Sequence, residues 1–303
     1  MAASCTLSVL ITVHNCAPWL EETLRSVDLA LQPISAHCEV VIINDASSDG
    51  SGDIITGYCQ QRAYARFFTT ELRNIGQVRN YAVAQAQGEY VLMLDGDDRL
   101  LPQAVAQHFR ILSEQAPDIL LNKIIEQRAQ DTPPDWQFQP PQALSRDEAI
   151  RRFLVHRDFQ AHFIGQYFRR QLLLDHPFPP FICYEDAWLF PQLLTLSQNT
   201  LYSPAGFYLY RKHQNSLSTV MSDEKIICLL AATRQMDQVL PDKFQALITC
   251  HWIDVLNRHH AALAKLGEQE KVKARIRQIG LLPFLLNSQI RLSYKRKMLK
   301  VRR

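Results

Sequence analysis

The chain has 303 residues, of which 47% are hydrophobic and 21% charged, and a formal net charge of +3. These values are ordinary for a folded protein, and the length suits one α/β domain or a core domain with a helical annex. Seven scattered cysteines, without a C-x-x-C pair or a zinc spacing, indicate a reducing compartment rather than a disulfide framework. No apolar run approaches the ~18 residues of a spanning helix. We expect a cytoplasmic protein, or one peripheral on the inner face of the plasma membrane.

Strand and helix patterns alternate along the first third of the chain. Apolar runs predict strands at residues 7–13, 39–43, 66–70 and 90–94. Helical spacing falls between them, at residues 17–31, 52–62 and 77–86. This alternation predicts a doubly wound, mostly parallel sheet, in which ligands gather at the carboxyl ends of strands.

Later segments have weaker patterns. We predict helices at residues 102–115, 146–155 and 168–174, a strand at 119–125, a proline-rich loop at 131–141, and a hairpin or edge strands at 200–205 and 207–210. From residue 223 onward the chain is predominantly helical in pattern. We therefore expect a core domain over residues 1–222 and a helical extension over residues 223–303.

Three acids crowd the end of the fourth predicted strand, at Asp95, Asp97 and Asp98. Clustered carboxylates repel each other unless a cation or hydrogen-bond donors compensate. Oxygen ligands of this kind suit Mg²⁺ or Mn²⁺, usually shared with a phosphate group. A solvated acidic turn is the alternative, because Asp and Gly are ordinary turn residues.

The charge of the chain is unevenly distributed. Residues 271–303 contain 11 Lys and Arg and no acid, so the preceding 270 residues carry 33 − 11 = 22 basic and 30 acidic residues. A basic tail with interleaved apolar residues suits an anionic membrane surface, or it is a helix end with a structural role. We expect no nucleic-acid partner.

Six stretches, in this order along the chain, resemble the family 2 inverting glycosyltransferases of the GT-A fold, bacterial surface-polysaccharide type. They are residues 8–15, 41–51, 74–80, 88–98, 184–186 and 210–218. The resemblance implies an α/β GT-A fold, with a doubly wound, mostly parallel sheet and a helical C-terminal extension. It also implies inverting transfer from a UDP-sugar donor to a hydroxyl of a glycan or lipid-linked acceptor, in capsule, lipopolysaccharide or exopolysaccharide synthesis.

Two other functions stay open beside this one. A nucleotidyltransferase usually carries a Gly-rich first loop with a basic finger, which residues 10–17 lack. An inactive nucleotide-sugar-binding subunit is disfavoured because the acidic motif residues are intact.

The resemblance also implies a role for individual residues. Asp186 would be the general base and Glu185 would orient it or the acceptor, although acids at a helix start also fit simple capping. Mn²⁺ or Mg²⁺ would be held by Asp97, Asp95 and His213. The donor would be bound by Thr12, His14, Asn15, Asp45, Arg79, Asp95, Arg211, Ser216 and Ser218. Thr12, His14 and Gln166 depart from the usual Pro, Tyr and Lys, and we expect these positions to tune donor or acceptor choice.

Overall fold

The computed structural model describes residues 5–128, 131–132, 134–212 and 221–302. Within this part of the chain the strands are β1 (Leu7–Val13), β2 (Cys38–Asp45), β3 (Ala65–Thr70), β4 (Tyr90–Asp95), β5 (Arg99–Leu100), β6 (Ile119–Gln127), β7 (Gln142–Leu144), β8 (Tyr167–Arg169) and β9 (Thr200–Arg211). All belong to one sheet, in the order β3-β2-β1-β4-β8-β6-β9-β5, with β7 also paired to β9.

The α-helices of the described chain fall into a group between the strands and a C-terminal group. The first comprises α1 (Ala17–Leu31), α2 (Ser51–Gln60), α3 (Ile75–Gln85), α4 (Pro102–Gln115), α5 (Arg146–Leu154), α6 (Arg170–Asp175) and α7 (Glu185–Leu196). The second comprises α8 (Asp223–Val239), α9 (Gln245–Lys265), α10 (Gln269–Arg277), α11 (Leu281–Leu286) and α12 (Leu292–Val301). None of the described helices is both long and apolar enough to cross a bilayer.

The first four strands form the predicted parallel sheet. β1 lies between β2 and β4 and is parallel to both, and β3 is parallel to β2. The side chains of β1, β2 and β4 are mostly apolar and nearly all buried, as expected for strands covered by helices on both faces. The carboxyl ends of β1, β2 and β4 therefore meet at one edge.

The predicted helix at residues 168–174 is wrong in its first part. Residues Tyr167–Arg169 form β8, antiparallel to both β4 and β6, and the helix begins only at Arg170. Tyr167 and Phe168 are fully buried. Their burial and the ladder hydrogen bonds outweigh the local helical pattern, which a short segment sets only weakly.

The strand conformation predicted for residues 200–205 and 207–210 is confirmed, but the break between two separate strands is wrong. The segment is one continuous strand, β9, parallel to β6 and antiparallel to β5 and β7. Gly206 lies at the irregularity in the β6–β9 register, where a Cβ atom would be 2.6 Å from the carbonyl oxygen of Lys123. The glycine permits this close approach of two backbones. The short strands β5 and β7 were not predicted from the sequence pattern.

The hydrophobic core has two parts, one on each face of the sheet. Leu7, Val9 and Ile11 face a layer that includes α1, α2 and α4. The other part joins Leu10 and neighbouring sheet residues to the buried side chains of the C-terminal helices, including Trp252, Phe284 and Met298. The division at residue 222 stays a prediction, since the extension shares this core with the sheet.

Candidate active site

Hydrogen bonds link the three strand ends at the carboxyl edge. Thr12 Oγ1 donates to Asp95 Oδ1 at 2.9 Å, which joins β1 to β4. The ring nitrogen Nδ1 of His14 lies 2.7 Å from the main-chain oxygen of Asp45, which joins β1 to β2. Asn15, with a φ of 54°, accepts a hydrogen bond from the Ser48 amide at 2.8 Å. The structure thus brings together Thr12, His14, Asn15, Asp45 and Asp95.

Asp45 organises the loop that follows β3. Its carboxylate accepts hydrogen bonds from Thr70 Oγ1 (2.9 Å), Leu72 N (2.7 Å) and Arg73 N (2.8 Å). Arg73 has a φ of 50°, a conformation that these bonds stabilise. Two carboxylate oxygens offer about four acceptor positions, so Asp45 retains capacity for one further donor.

The acidic turn after β4 is held tightly against β1. Gly96 N donates to the carbonyl of Thr12 at 2.9 Å, and a Cβ atom at Gly96 would lie 3.0 to 3.2 Å from atoms of Thr12, Val13 and Cys16. Asp98 is fully buried and accepts from Tyr208 Oη at 2.5 Å and from Arg211 N at 2.7 Å. Asp98 therefore anchors the turn to β9.

The carboxylates of Asp95 and Asp97 fit a hard divalent cation. Burial raises the pKa of Asp95, the Arg79 charge opposes the rise, and the Asp97 charge adds to it. A cation would relieve this repulsion, and Mg²⁺ commonly uses one or two carboxylates together with substrate phosphates. The described residues contain no group of three or more His, Cys, Asp or Glu arranged to hold a metal ion. The predicted third ligand, His213, lies outside the described residues, as do Ser216 and Ser218.

Arg79 connects the acidic turn to helix α7. Its guanidinium forms a buried ion pair with Glu185, the first residue of α7, while the Arg79 Nε atom has no hydrogen-bond partner among the described residues. The Arg79 charge also interacts with those of Asp95 and Asp186. Arg79 was predicted as a donor-binding residue, and the structure gives it a carboxylate partner within the protein.

Asp186 is partly buried and lies at the start of α7. Its Oδ1 accepts from Ala187 N at 2.6 Å, and its Oδ2 lies 3.9 Å from His162 Nδ1. Burial raises the pKa of Asp186, and the Arg79 charge opposes that rise. For Glu185, burial likewise raises the pKa, against the Arg79 charge and together with the Asp186 charge. The pair therefore consists of one ion-paired carboxylate and one that faces a histidine.

Two residues of this region, Tyr208 and His162, were not predicted from the sequence. Tyr208 accepts a hydrogen bond from Asp95 N at 3.2 Å and donates to Asp98. His162 faces Asp186, and burial, followed by the Arg79 charge, lowers the pKa of His162 to about 4. Neither lies in a recognisable motif, and their places follow only from the way β9 and the loop before β8 pack.

Arg211 and Gln166 have internal partners. Arg211 donates from Nη2 to Glu22 Oε2 at 2.5 Å and from Nε to the carbonyl of Asp97 at 2.9 Å. Gln166 is fully buried, accepts from Asn122 N at 2.5 Å and donates to Asn122 O at 3.1 Å. The Gln166 side chain thus links the segment before β8 to β6 by hydrogen bonds, and this stabilises the sheet.

Comparison with known proteins identifies the family of this chain. The sequence profile of "Glycosyl transferase family 2" matches residues 8–175, more than half of the chain. The chain belongs to this family. It is 26% identical over 151 residues to the putative teichuronic acid biosynthesis glycosyltransferase TuaG of Bacillus subtilis, a match that covers 49% of this chain and 58% of that protein. The chain spans 34% of the putative glycosyltransferase EpsH and 63% of the uncharacterized glycosyltransferase EpsJ, both of B. subtilis.

Solved structures show the same fold. Staphylococcus aureus TarS residues 1–349, in complex with UDP-GlcNAc, matches with a TM-score of 0.66 and 22% identity, over 92% of this chain and 80% of that chain. The mannosyltransferase PcManGT of Pyrobaculum calidifontis, in complex with GDP-Man and Mn²⁺, matches with a TM-score of 0.56 and 15% identity, over 97% of this chain and 84% of that chain. The predicted family and the predicted GT-A fold class are confirmed.

Proposed function

We propose that this family 2 member transfers a sugar from a UDP-sugar to a hydroxyl of a glycan or lipid-linked acceptor, with inversion at the anomeric carbon. The product would be part of a bacterial surface polysaccharide. The observation that carries the proposal is that the charges of Asp186 and Asp95 interact with each other and with the buried Arg79 guanidinium. The proposed base for the acceptor and a proposed carboxylate for the donor therefore belong to one charged cluster.

The carboxyl edge of β1 and β2 would bind the nucleotide. Asp45 has one unused acceptor position, suited to the N–H of a uracil ring, and Thr12, His14 and Asn15 line the same edge. TarS, which shares the fold, was crystallised with UDP and with UDP-GlcNAc, which supports a nucleotide-sugar donor. Ser216 and Ser218 remain proposed donor contacts.

A divalent ion would be held by Asp97 and Asp95, with His213 as the proposed third ligand. When bound, Mn²⁺ or Mg²⁺ supplies positive charge to a diphosphate leaving group. The Mn²⁺ in the PcManGT complex supports this choice of cofactor. Arg211 supports the turn from outside, because it binds the carbonyl of Asp97.

Asp186 would act as the general base. As the acceptor oxygen forms its bond to the anomeric carbon and the bond to UDP breaks, the proton of the acceptor hydroxyl passes to the Asp186 carboxylate. Burial raises the pKa of Asp186, which makes its carboxylate a stronger base, and Arg79 favours its charged form. Glu185 would position this residue through its ion pair with Arg79.

The nucleotide and metal assignments are tested together by titration. We expect Mn²⁺ to strengthen UDP binding in the wild type and in Asp53→Ala, an exposed carboxylate on α2 that serves as the control. Asp97→Ala should lose the Mn²⁺ effect. An unchanged Mn²⁺ effect in Asp97→Ala would remove Asp97 from the metal site.

Activity is tested by UDP release from a panel of UDP-sugars with Mn²⁺ and no acceptor. Slow hydrolysis of one donor supports the transferase and identifies the sugar. Tight UDP binding without UDP release from any donor, and without transfer to any glycan, would favour an inactive nucleotide-sugar-binding subunit instead.

A further inference from the structure

Helix α12 has an exposed face that combines leucines with basic residues. Leu292, Lys295, Arg296, Leu299 and Lys300 follow the spacing i, i+3, i+4, i+7, i+8, so they share one side of the helix. Leu292 is 62% and Leu299 44% exposed. We name these five residues the leucine-basic face.

The opposite side of α12 fixes the helix to the protein. Met298 is fully buried, Tyr294 donates to Asp254, and Lys297 Nζ lies 2.9 Å from Asp254 Oδ1. Beyond the helix, Arg302 donates to the carbonyl of Arg277 at 2.9 Å. The leucine-basic face is therefore held outward by contacts on its back.

The basic residues of the tail differ in their partners. Several have acidic partners, among them Arg275 with Asp237, Lys297 with Asp254 and the exposed Lys271 with Glu268. Lys295, Arg296 and Lys300 form no ion pair with any described residue. Unpaired like charges on one face attract an anionic partner.

The preceding helix, α11, adds apolar surface. Phe284 is buried, whereas Leu282 is 70% and Leu286 80% exposed. Among the described residues, four of the twelve exposed large hydrophobic side chains therefore lie within the 18 residues from 282 to 299. These four residues lie on two successive helices, whereas the exposed apolar residues of an ordinary surface occur singly.

We propose that the leucine-basic face, with Leu282 and Leu286, docks on an anionic lipid membrane. The leucines would enter the boundary between headgroups and acyl chains, and the basic residues would bind headgroup phosphates. A nucleic acid or a soluble polyanion would bind the basic residues but would leave the leucines exposed. A second copy of this chain would place like charges opposite each other. The inference deepens the proposed function, on which it rests for its lipid-linked acceptor, while docking itself is measurable without sugar transfer.

Vesicle sedimentation tests the proposal, with phosphatidylglycerol–phosphatidylcholine vesicles against pure phosphatidylcholine. The test variants are Leu292→Ser/Leu299→Ser and Lys295→Glu/Arg296→Glu. The matched controls are Leu29→Ser/Ile227→Ser, which alters two exposed apolar residues elsewhere, and Lys123→Glu, which alters an exposed lysine on β6. Melting temperature and UDP affinity are measured for every protein.

The wild type and the controls should bind the anionic vesicles and not the neutral ones. The partition coefficient of each test variant on anionic vesicles should be lower by about tenfold or more. Unchanged UDP affinity across the variants separates this result from a failure of the proposed function. Wild-type partitioning in both test variants, or equal binding to neutral vesicles, overturns the proposal. The proposal is also overturned if the leucine variant still binds vesicles but loses self-association. It is overturned as well if the leucine variant binds vesicles like the wild type and polyphosphate abolishes vesicle binding of both proteins.

Discussion

Arg79 on α3 and Glu185 on α7 form an ion pair that is almost completely removed from solvent. The pair attaches the first turn of α7, and with it Asp186, to a helix that packs beside β1 and β2. A buried pair of this kind contributes little net stability compared with apolar packing, but the loss of one partner leaves a buried charge. Its value here lies in the position it gives to the proposed base.

We predict that Arg79→Met destabilises the protein by about 3 kcal/mol, because Glu185 becomes an uncompensated buried carboxylate. Arg79→Met/Glu185→Leu should recover part of that loss, since the charge and its partner leave together. The free energies of unfolding of the two single variants and the double variant measure the coupling. Arg110→Met, which breaks the exposed Arg110–Glu114 pair, is the control and should cost under about 1 kcal/mol. Strict additivity of the two single changes would contradict the buried pair.

Asp186→Asn should lower the transfer rate by roughly 10²-fold or more, as expected when a general base is lost. UDP affinity should be unchanged, because the substitution is near-isosteric and the proposed role of Asp186 is toward the acceptor. Steady-state kinetics and UDP titration measure the two effects separately. Asp175→Asn, an exposed carboxylate at the end of α6, serves as the control. A rate close to that of the wild type would assign the base to another residue.

The buried histidines predict a loss of stability in acid. Burial lowers the pKa of His108 to about 3, so the unfolded chain binds a proton there near pH 6.5 while the folded protein stays neutral. The free energy of unfolding therefore falls as the pH is lowered through this window. His108 alone lowers it by about 2 kcal/mol between pH 6.5 and pH 5.

His108→Phe should flatten this acid dependence, and the aromatic neighbours Trp136, Tyr167 and Phe207 suit a phenyl ring. Unfolding free energies at pH 7 and pH 5 provide the measurement. His260→Gln, at an exposed position of α9, should leave the slope unchanged. If the free energy of unfolding falls equally between pH 7 and pH 5 in the wild type and in His108→Phe, other groups cause the acid dependence.

Gln166→Leu should destabilise the protein by about 2 kcal/mol, because the amide and carbonyl of Asn122 lose their buried partner. The fraction of Gln166→Leu that is folded should have the UDP affinity and the donor preference of the wild type. Thermal melting and UDP titration distinguish the two effects, with the exposed Gln171→Leu as the control. A change of donor preference at unaltered stability would restore the original expectation that Gln166 tunes specificity.

The sequence determined the parallel half of the sheet and the edge at which ligands gather. Residues 9–11 of β1 and 90–94 of β4 are uninterrupted apolar runs, and such runs suit few places other than a strand buried on both faces. The residues just after these strands then reach one edge for topological reasons alone. For that reason His14, Asp45 and Asp95 were predicted to lie at the same edge from the sequence.

The tertiary structure decided what each side chain binds. The helical pattern of residues 168–174 concealed β8, and the apparent break at Gly206 concealed a continuous β9, because burial and pairing with distant strands override short local signals. The sequence likewise presented Arg79 and Glu185 as two separate site residues, 106 positions apart. Whether an arginine meets a ligand or a buried carboxylate depends on which helices pack together, and packing is a property of the whole chain.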